Sequence, residues 1–463
     1  MMITKNMMDS RRQFMLKSGR LISTAFSAAA LAPFGLINAH AQTTSSYKAM
    51  VCIFLFGGND ANNMVVPTGN GYSAYQSVRQ GLAIPQASLL PITNSTGGTF
   101  GLHPSLQPIH PLYASGKLAV VNNVGMLVRP TTRSQYLART VPVPNNLFSH
   151  ADQQQQWQNA SPLVASTTGW AGRVADRVNL LNQPSNFPPS VSIAGNSLQL
   201  IGQSTLPTTI NSTEFGVLGS DHTPASDARN ASLQEMLSFD SGAVLLQSAN
   251  SVLRDAIRVA QLVEDATRNS PALVSQFPGT GLGQQLAEVA KIIQARTALG
   301  MRRQIFFVTQ GGFDTHNGQL GTQANLLTQL AQAMLAFHNA MGELGVQDGV
   351  VSFTESEFSR TFQPNNGAGT DHAWGGHCLA LGGGVKGGNT YGRFPVLALG
   401  SDDDSGNRGN WIPGISLDQY AASIAQWFGV PANELTQVFP NLANFPAPTA
   451  GFMNGSSQTE APA

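Results

Sequence analysis

Residues 50–58 read Met50-Val51-Cys52-Ile53-Phe54-Leu55-Phe56-Gly57-Gly58. Seven consecutive apolar side chains leave no face for water, so a strand built from them must be covered on both sides, as in a parallel sheet. The glycine pair ends the run and opens a loop. Leu118-Ala119-Val120-Val121, Gln304-Ile305-Phe306-Phe307-Val308 and Val350-Val351-Ser352-Phe353 repeat the pattern. Between these runs the spacing changes to that of helices. Leu327, Leu330, Met334, Phe337 and Met341 recur at three- and four-residue intervals within 324–344, with Gly345 as a stop. Segments 243–269 and 283–299 also read as helices. Strands alternating with helices predict an α/β fold: a doubly wound, mainly parallel sheet with helices on both faces and ligands outside the carboxyl ends of the strands.

Around this frame, residues 192–229 are rich in Ser, Thr, Asn, Gly and Pro without clear periodicity, which predicts a lid, an insertion or a long loop. The Pro, Ala, Gly and Ser content of 441–463 predicts a flexible tail, leaving 42–440 as a single domain. At the other end, Ser10-Arg11-Arg12-Gln13-Phe14-Met15-Leu16-Lys17 carries paired arginines, followed by an apolar run over 21–37 and Ala39-His40-Ala41. That order predicts a twin-arginine signal peptide over 1–41, recognised by the twin-arginine translocation machinery, and a periplasmic or secreted address. The rival reading, a membrane anchor, is disfavoured by Ser23, Thr24, Ser27, Pro33 and Gly35, so no stable membrane span is expected after cleavage.

Of the 463 residues only 11% are charged, with 25 basic against 25 acidic side chains. No cationic excess exists to neutralise a phosphate backbone, so no nucleic acid partner is expected. Cys52 and Cys378 are the only cysteines; they exclude a disulfide scaffold by number, and the sequence leaves open whether they pair.

Chemistry-bearing residues gather just after the apolar runs. Asp60 and Asn63 lie in the loop Gly57-Gly58-Asn59-Asp60-Ala61-Asn62-Asn63, where small neighbours let a carboxylate approach a metal; the plain alternative is a capping loop. Gly311-Gly312-Phe313-Asp314-Thr315-His316 offers an oxygen and a nitrogen donor two residues apart, as a zinc or manganese site needs, or an Asx turn beside a surface histidine. Glu357 and Arg360 follow the 350–353 run, and Asp371, His372 and His377 stand close behind. Ser149, three residues before Asp152, reads as a helix N-cap, and the same position receives anions well. Gly382-Gly383-Gly384-Val385-Lys386-Gly387 fits a dinucleotide glycine pattern but runs into Gly388-Asn389-Thr390-Tyr391, which cannot open the required helix. The Gly-x-Ser-x-Gly elbow is absent.

Six ordered motifs, GGNDANNMVVP, FGLHPSLQPIHPLYASGKLAVVNNVG, LFSHADQQQQWQ, QGGFDTHNGQ, FTESEFSRT and GTDHAWGGHCLALGGGVKGG, resemble a bacterial family of exported proteins of unknown function in the alkaline phosphatase-like superfamily. The resemblance implies an alkaline phosphatase-like fold and hydrolysis of phosphate or sulfate esters at divalent metal, with zinc, manganese or calcium as the ion and an anionic ester as substrate. It implies metal-binding roles for Asp60, Asp314, His316, Glu357, Asp371, His372 and His377, and catalytic roles for Ser149 as nucleophile, Arg360 as anion holder and Asn63. Two departures stand out: the sulfatase motif Cys-x-Pro-x-Arg is missing, and Glu357 stands where relatives usually carry Asp-His. An exported binding protein on the same fold, recognising a glycan, a surface component or a protein partner, is the alternative.

Overall fold

The computed structural model describes residues 47–210, 223–239, 242–268 and 270–455. The signal over 1–41 and the last residues of the tail, 456–463, lie outside the described residues. In chain order the strands are β1 (Lys48–Leu55), β2 (Val65–Pro67), β3 (Leu90–Thr93), β4 (Thr99–Leu102), β5 (Leu118–Gly125), β6 (Ser190–Ser192), β7 (Thr208–Thr209), β8 (Arg303–Gln310), β9 (Val350–Glu355), β10 (Gly376–Gly382), β11 (Thr390–Tyr391) and β12 (Ile415–Ser416). Nine of them form one sheet in the order β11-β5-β10-β9-β1-β8-β6-β7, with β12 beside β5; β2, β4 and β3 form a small second sheet. Pairing in the main sheet is parallel except around β10, which runs antiparallel to β5 and β9.

Alternation along β1 explains its unbroken apolar run. Val51, Ile53 and Leu55 enter a core shared with the helices Gly281–Gln294 and Gln319–Glu343, while Met50, Cys52 and Phe54 enter a second core with the helices Trp170–Val178 and Leu417–Phe428. β1 is hydrogen-bonded to β8 on one side and β9 on the other, so its backbone is covered as completely as its side chains.

Three segments differ from expectation. Residues 190–210, instead of a lid, supply β6, paired with β8, and the edge strand β7 beyond it, and bury Ile193, Leu200 and Ile210. Residues 224–238 are helical, started by Pro224 at the first position and by the Thr223 hydroxyl, which accepts from Ser226 N–H. The chain after Asn441 packs rather than trailing: Leu442, Phe445, Phe452 and Met453 are buried, and Phe452 stacks on Tyr420 at 5.2 Å between ring centroids. Cys52 and Cys378 are both free and buried. Among the described residues, no helix is long and apolar enough to cross a membrane.

Candidate metal centre

The carboxyl ends of the adjacent parallel strands β8, β1 and β9 feed three loops that touch. At Gly57 φ is +115°, and a Cβ there would stand 2.3 Å from the backbone nitrogen of Asp314, so the loops after β1 and β8 meet backbone to backbone. Gly57 N–H donates to Glu357 Oε1 at 2.9 Å, tying in the loop after β9. The carbonyls of Gly57 and Gly58 accept from the fully buried Arg360 guanidinium, which also donates to Thr370 O and to an oxygen of Asp314. Asp314 is thereby held beside three histidines.

Each of these histidines has its Nδ1 engaged by an acceptor. His150, the first residue of the helix His150–Asn159, bonds Glu357 Oε1 at 2.8 Å; His316 bonds Asp371 Oδ1 at 3.2 Å; His372 bonds the carbonyl of Phe148 at 2.7 Å. An acceptor at Nδ1 fixes the hydrogen there, so in the neutral ring Nε2 carries only a lone pair. All three Nε2 atoms then face the Asp314 carboxylate: His316 at 3.0 Å, His150 at 3.4 Å and His372 at 3.4 Å. The Nε2 atoms of His316 and His372 are 3.1 Å apart. Phe358 backs the group, stacking on His372 at 4.6 Å and packing against His150 at 4.8 Å.

Lone pairs this close repel unless a proton or a metal ion lies among them. His150 Nε2 is buried without a hydrogen-bond partner, and ligand atoms of His150, Asp314 and His372 all lie within 4.8 Å of one another. Ligands roughly 2.0–2.1 Å from a tetrahedral ion are about 3.3 Å apart, close to the shorter separations here, so the residues fit a small divalent cation. The charges agree. The hydrogen bond to Glu357 raises His150 above the ordinary histidine range, against the effect of burial. Burial lowers His372, with the Phe148 carbonyl acting in the opposite direction. Burial also works to raise Asp314, but Arg360, His150 and His316 outweigh it and hold the carboxyl at about 2.

Of the residues singled out in the sequence, Asp314, His316 and His372 meet in this cluster. Glu357 and Asp371 stand behind it, orienting His150 and His316. Asp60 does not join them: its carboxylate is fully buried against Arg79 and Gln319 and accepts from Asn62 N–H, a closed structural pairing. Asn63 bonds Tyr75, Arg79 and the carbonyl of Leu82. His377 is also elsewhere, stacked on Phe394, accepting from Asn123 N–H at Nδ1 and held neutral at about 3 by burial. Arg360, expected to hold a substrate anion, spends its N–H groups on Asp314, on backbone carbonyls and on His316 Nε2 at 3.4 Å. Ser149 occupies the helix N-cap, yet its hydroxyl caps no amide; it donates to Asp152 Oδ2 at 2.6 Å.

Sequence reasoning missed His150 and Arg408. His150 stands next to Ser149 in the quoted Ser-His motif, and that adjacency was the available signal. Arg408 donates to Asp371 Oδ2 at 2.6 Å from a remote loop, and nothing local marks it.

A search of the curated proteins finds no match to this chain. Among solved structures, Ps i-CgsB in complex with k-i-k-neocarrahexaose aligns over 86% of this chain and 77% of its own, at 9% identity and a TM-score of 0.34. PsFucS1 sulfatase from Pseudoalteromonas sp. aligns over 88% and 72%, at 8% identity and a TM-score of 0.33. A mutant TAB5 alkaline phosphatase with magnesium bound aligns over 85% and 98%, at 8% identity and a TM-score of 0.29. The model of the family described as protein of unknown function (DUF1501) matches residues 47–408, most of the chain, and the protein belongs to that family.

Proposed function

We propose that this protein is an exported, metal-dependent hydrolase of phosphate or sulfate esters, with His150, Asp314, His316 and His372 as its metal ligands. One observation carries the reading: three imidazole Nε2 lone pairs converge on one half-exposed carboxylate. Three nitrogens and an oxygen suit zinc, and manganese less well; calcium, which takes six to eight oxygens, is a poor fit. When bound, such an ion supplies Lewis acidity toward an ester oxygen. The chain's own residues arrange the rest. Glu357, Asp371 and the Phe148 carbonyl orient the three rings, and Arg360 fixes Asp314. Arg408, with its side chain 43% exposed beside Asp371, presents a cation to an arriving ester anion. Ser149 offers a hydroxyl next to His150, with its proton already directed at Asp152. The paired arginines at 11 and 12 support export.

A second reading, binding without turnover, is favoured by the Arg360–Asp314 ion pair, because a permanent cation already satisfies the carboxylate. Assay of the full chain, supplied with zinc or manganese, against aryl phosphates and aryl sulfates separates the two. The hydrolase reading predicts turnover that is lost in His372→Ala. A protein that holds metal yet turns over neither class supports binding alone.

A further inference from the structure

A small cavity is lined by Trp157, Glu355, His377, Cys378, Ser356 and Phe358, with room for about one water molecule. Two polar atoms of that lining are buried without a hydrogen-bond partner: Trp157 Nε1 and Glu355 Oε1. Trp157 is 2% exposed and Glu355 1%. His377 adds a third polar group. Its Nδ1 accepts from the backbone N–H of Asn123 at 3.1 Å, so its hydrogen is on Nε2 and that nitrogen is a donor. A buried indole N–H and a buried carboxyl oxygen therefore belong to residues that line one small cavity, and leaving such groups unpaired is costly.

We infer that this cavity is a binding site for a single ordered water, bridging Trp157 Nε1–H and Glu355 Oε1 and so linking the helix His150–Asn159 to the end of β9. The chemistry selects water over other small ligands. A cation cannot accept from the indole or imidazole N–H. A halide accepts from both but cannot serve an ionised carboxylate. Water donates and accepts, so it satisfies Glu355 in either protonation state, and burial pushes that carboxyl up to about 8, with the hydrogen bond from Cys52 to Glu355 Oε2 acting in the opposite direction. The link has a consequence for the histidine cluster, because Trp157 lies two turns along the same helix from His150, and Phe358 both lines the cavity and packs against His150 and His372. The bridging water is thus a positioning element for the helix start, and it stands whether or not the cluster holds metal.

High-resolution crystal structures of the full-length chain and of Trp157→Phe test this, with bromide-soaked and xenon-pressurised crystals alongside. The expected result is a density peak within hydrogen-bond distance of both Trp157 Nε1 and Glu355 Oε1, no bromide or xenon at that place, and loss of the bridge in Trp157→Phe. Glu355→Gln, which keeps a donor and an acceptor, should retain the water. A cavity that takes up xenon, or one that takes up bromide, overturns the assignment. If Trp157→Phe does not fold, the unsubstituted and Glu355→Gln crystals decide alone: water at both atoms sustains the site, and an empty or halide-filled cavity refutes it.

Discussion

Glu357 holds the Nδ1 of His150 at 2.8 Å and so orients its Nε2 toward the cluster. Glu357→Gln keeps the side-chain volume but loses the charge, and the expected outcome is a metal affinity lower by about 10- to 100-fold, read by competition with a chromophoric chelator. Protons compete for the same nitrogens, so metal affinity should rise with pH through the range in which His150 deprotonates. Two signs follow for stability without metal. His150 is raised, so its contribution is complete below about 6.5 and fades as pH climbs through its folded value; Asp314 is depressed to about 2, so its contribution is complete above about 3.9 and fades as pH falls toward 2. Thermal melts across pH check both. At Ser149 the hydroxyl caps no amide, so Ser149→Ala should leave the melting temperature within about 2 °C while abolishing ester turnover if the hydroxyl is the nucleophile. Turnover unchanged in Ser149→Ala assigns the attack elsewhere. At this scale the sequence exposed Asp314, His316 and His372 because each follows an apolar run or a glycine-rich loop. It could not expose the fate of Asp60, whose neutralising partner Arg79 ends the helix Tyr72–Arg79, 19 residues away.

The elements that carry the site were the most legible ones. β1, β8 and β9 are buried on both faces, so their residues read as continuous apolar runs, and the long helix behind them shows its buried Leu327, Leu330, Met334, Phe337 and Met341 at helical spacing. Strands of two or three residues, such as β6 and β7, contain too few alternations to declare themselves, and the helix from Pro224 to Ser238 buries only Ser226 and Leu237, which leaves no apolar stripe. What brings the strand ends together is the Gly57–Gly58 turn. Gly57→Ala should cost at least about 2 kcal/mol, since it adds a Cβ at positive φ against the backbone of Asp314. Denaturant melts check the loss, and an unchanged midpoint would refute the tight contact between the two loops.

For the whole molecule, the segment after Asn441 closes over the second core. Phe452 is fully buried against Tyr420, and Lys386 N–H donates to its carbonyl at 2.8 Å. Phe452→Ala should therefore cost about 3–5 kcal/mol, which a dispensable tail would not. This closure was hidden in the sequence because Pro, Ala, Gly and Asn dominate around Leu442, Phe445, Phe452 and Met453, which show neither helical nor strand spacing. Replacing Arg11 and Arg12 by lysine together should leave the precursor in the cytoplasm, and normal recovery of mature protein outside it would refute the export reading. The central claim is that His150, Asp314, His316 and His372 hold a divalent ion. Elemental analysis of the protein purified from its native host, beside His150→Ala and His372→Ala, tests it most directly. The account predicts near-stoichiometric zinc or manganese in the unsubstituted protein and a loss of at least tenfold in each variant; a chain that stays metal-free under metal-replete conditions, or variants that keep their metal, would contradict it.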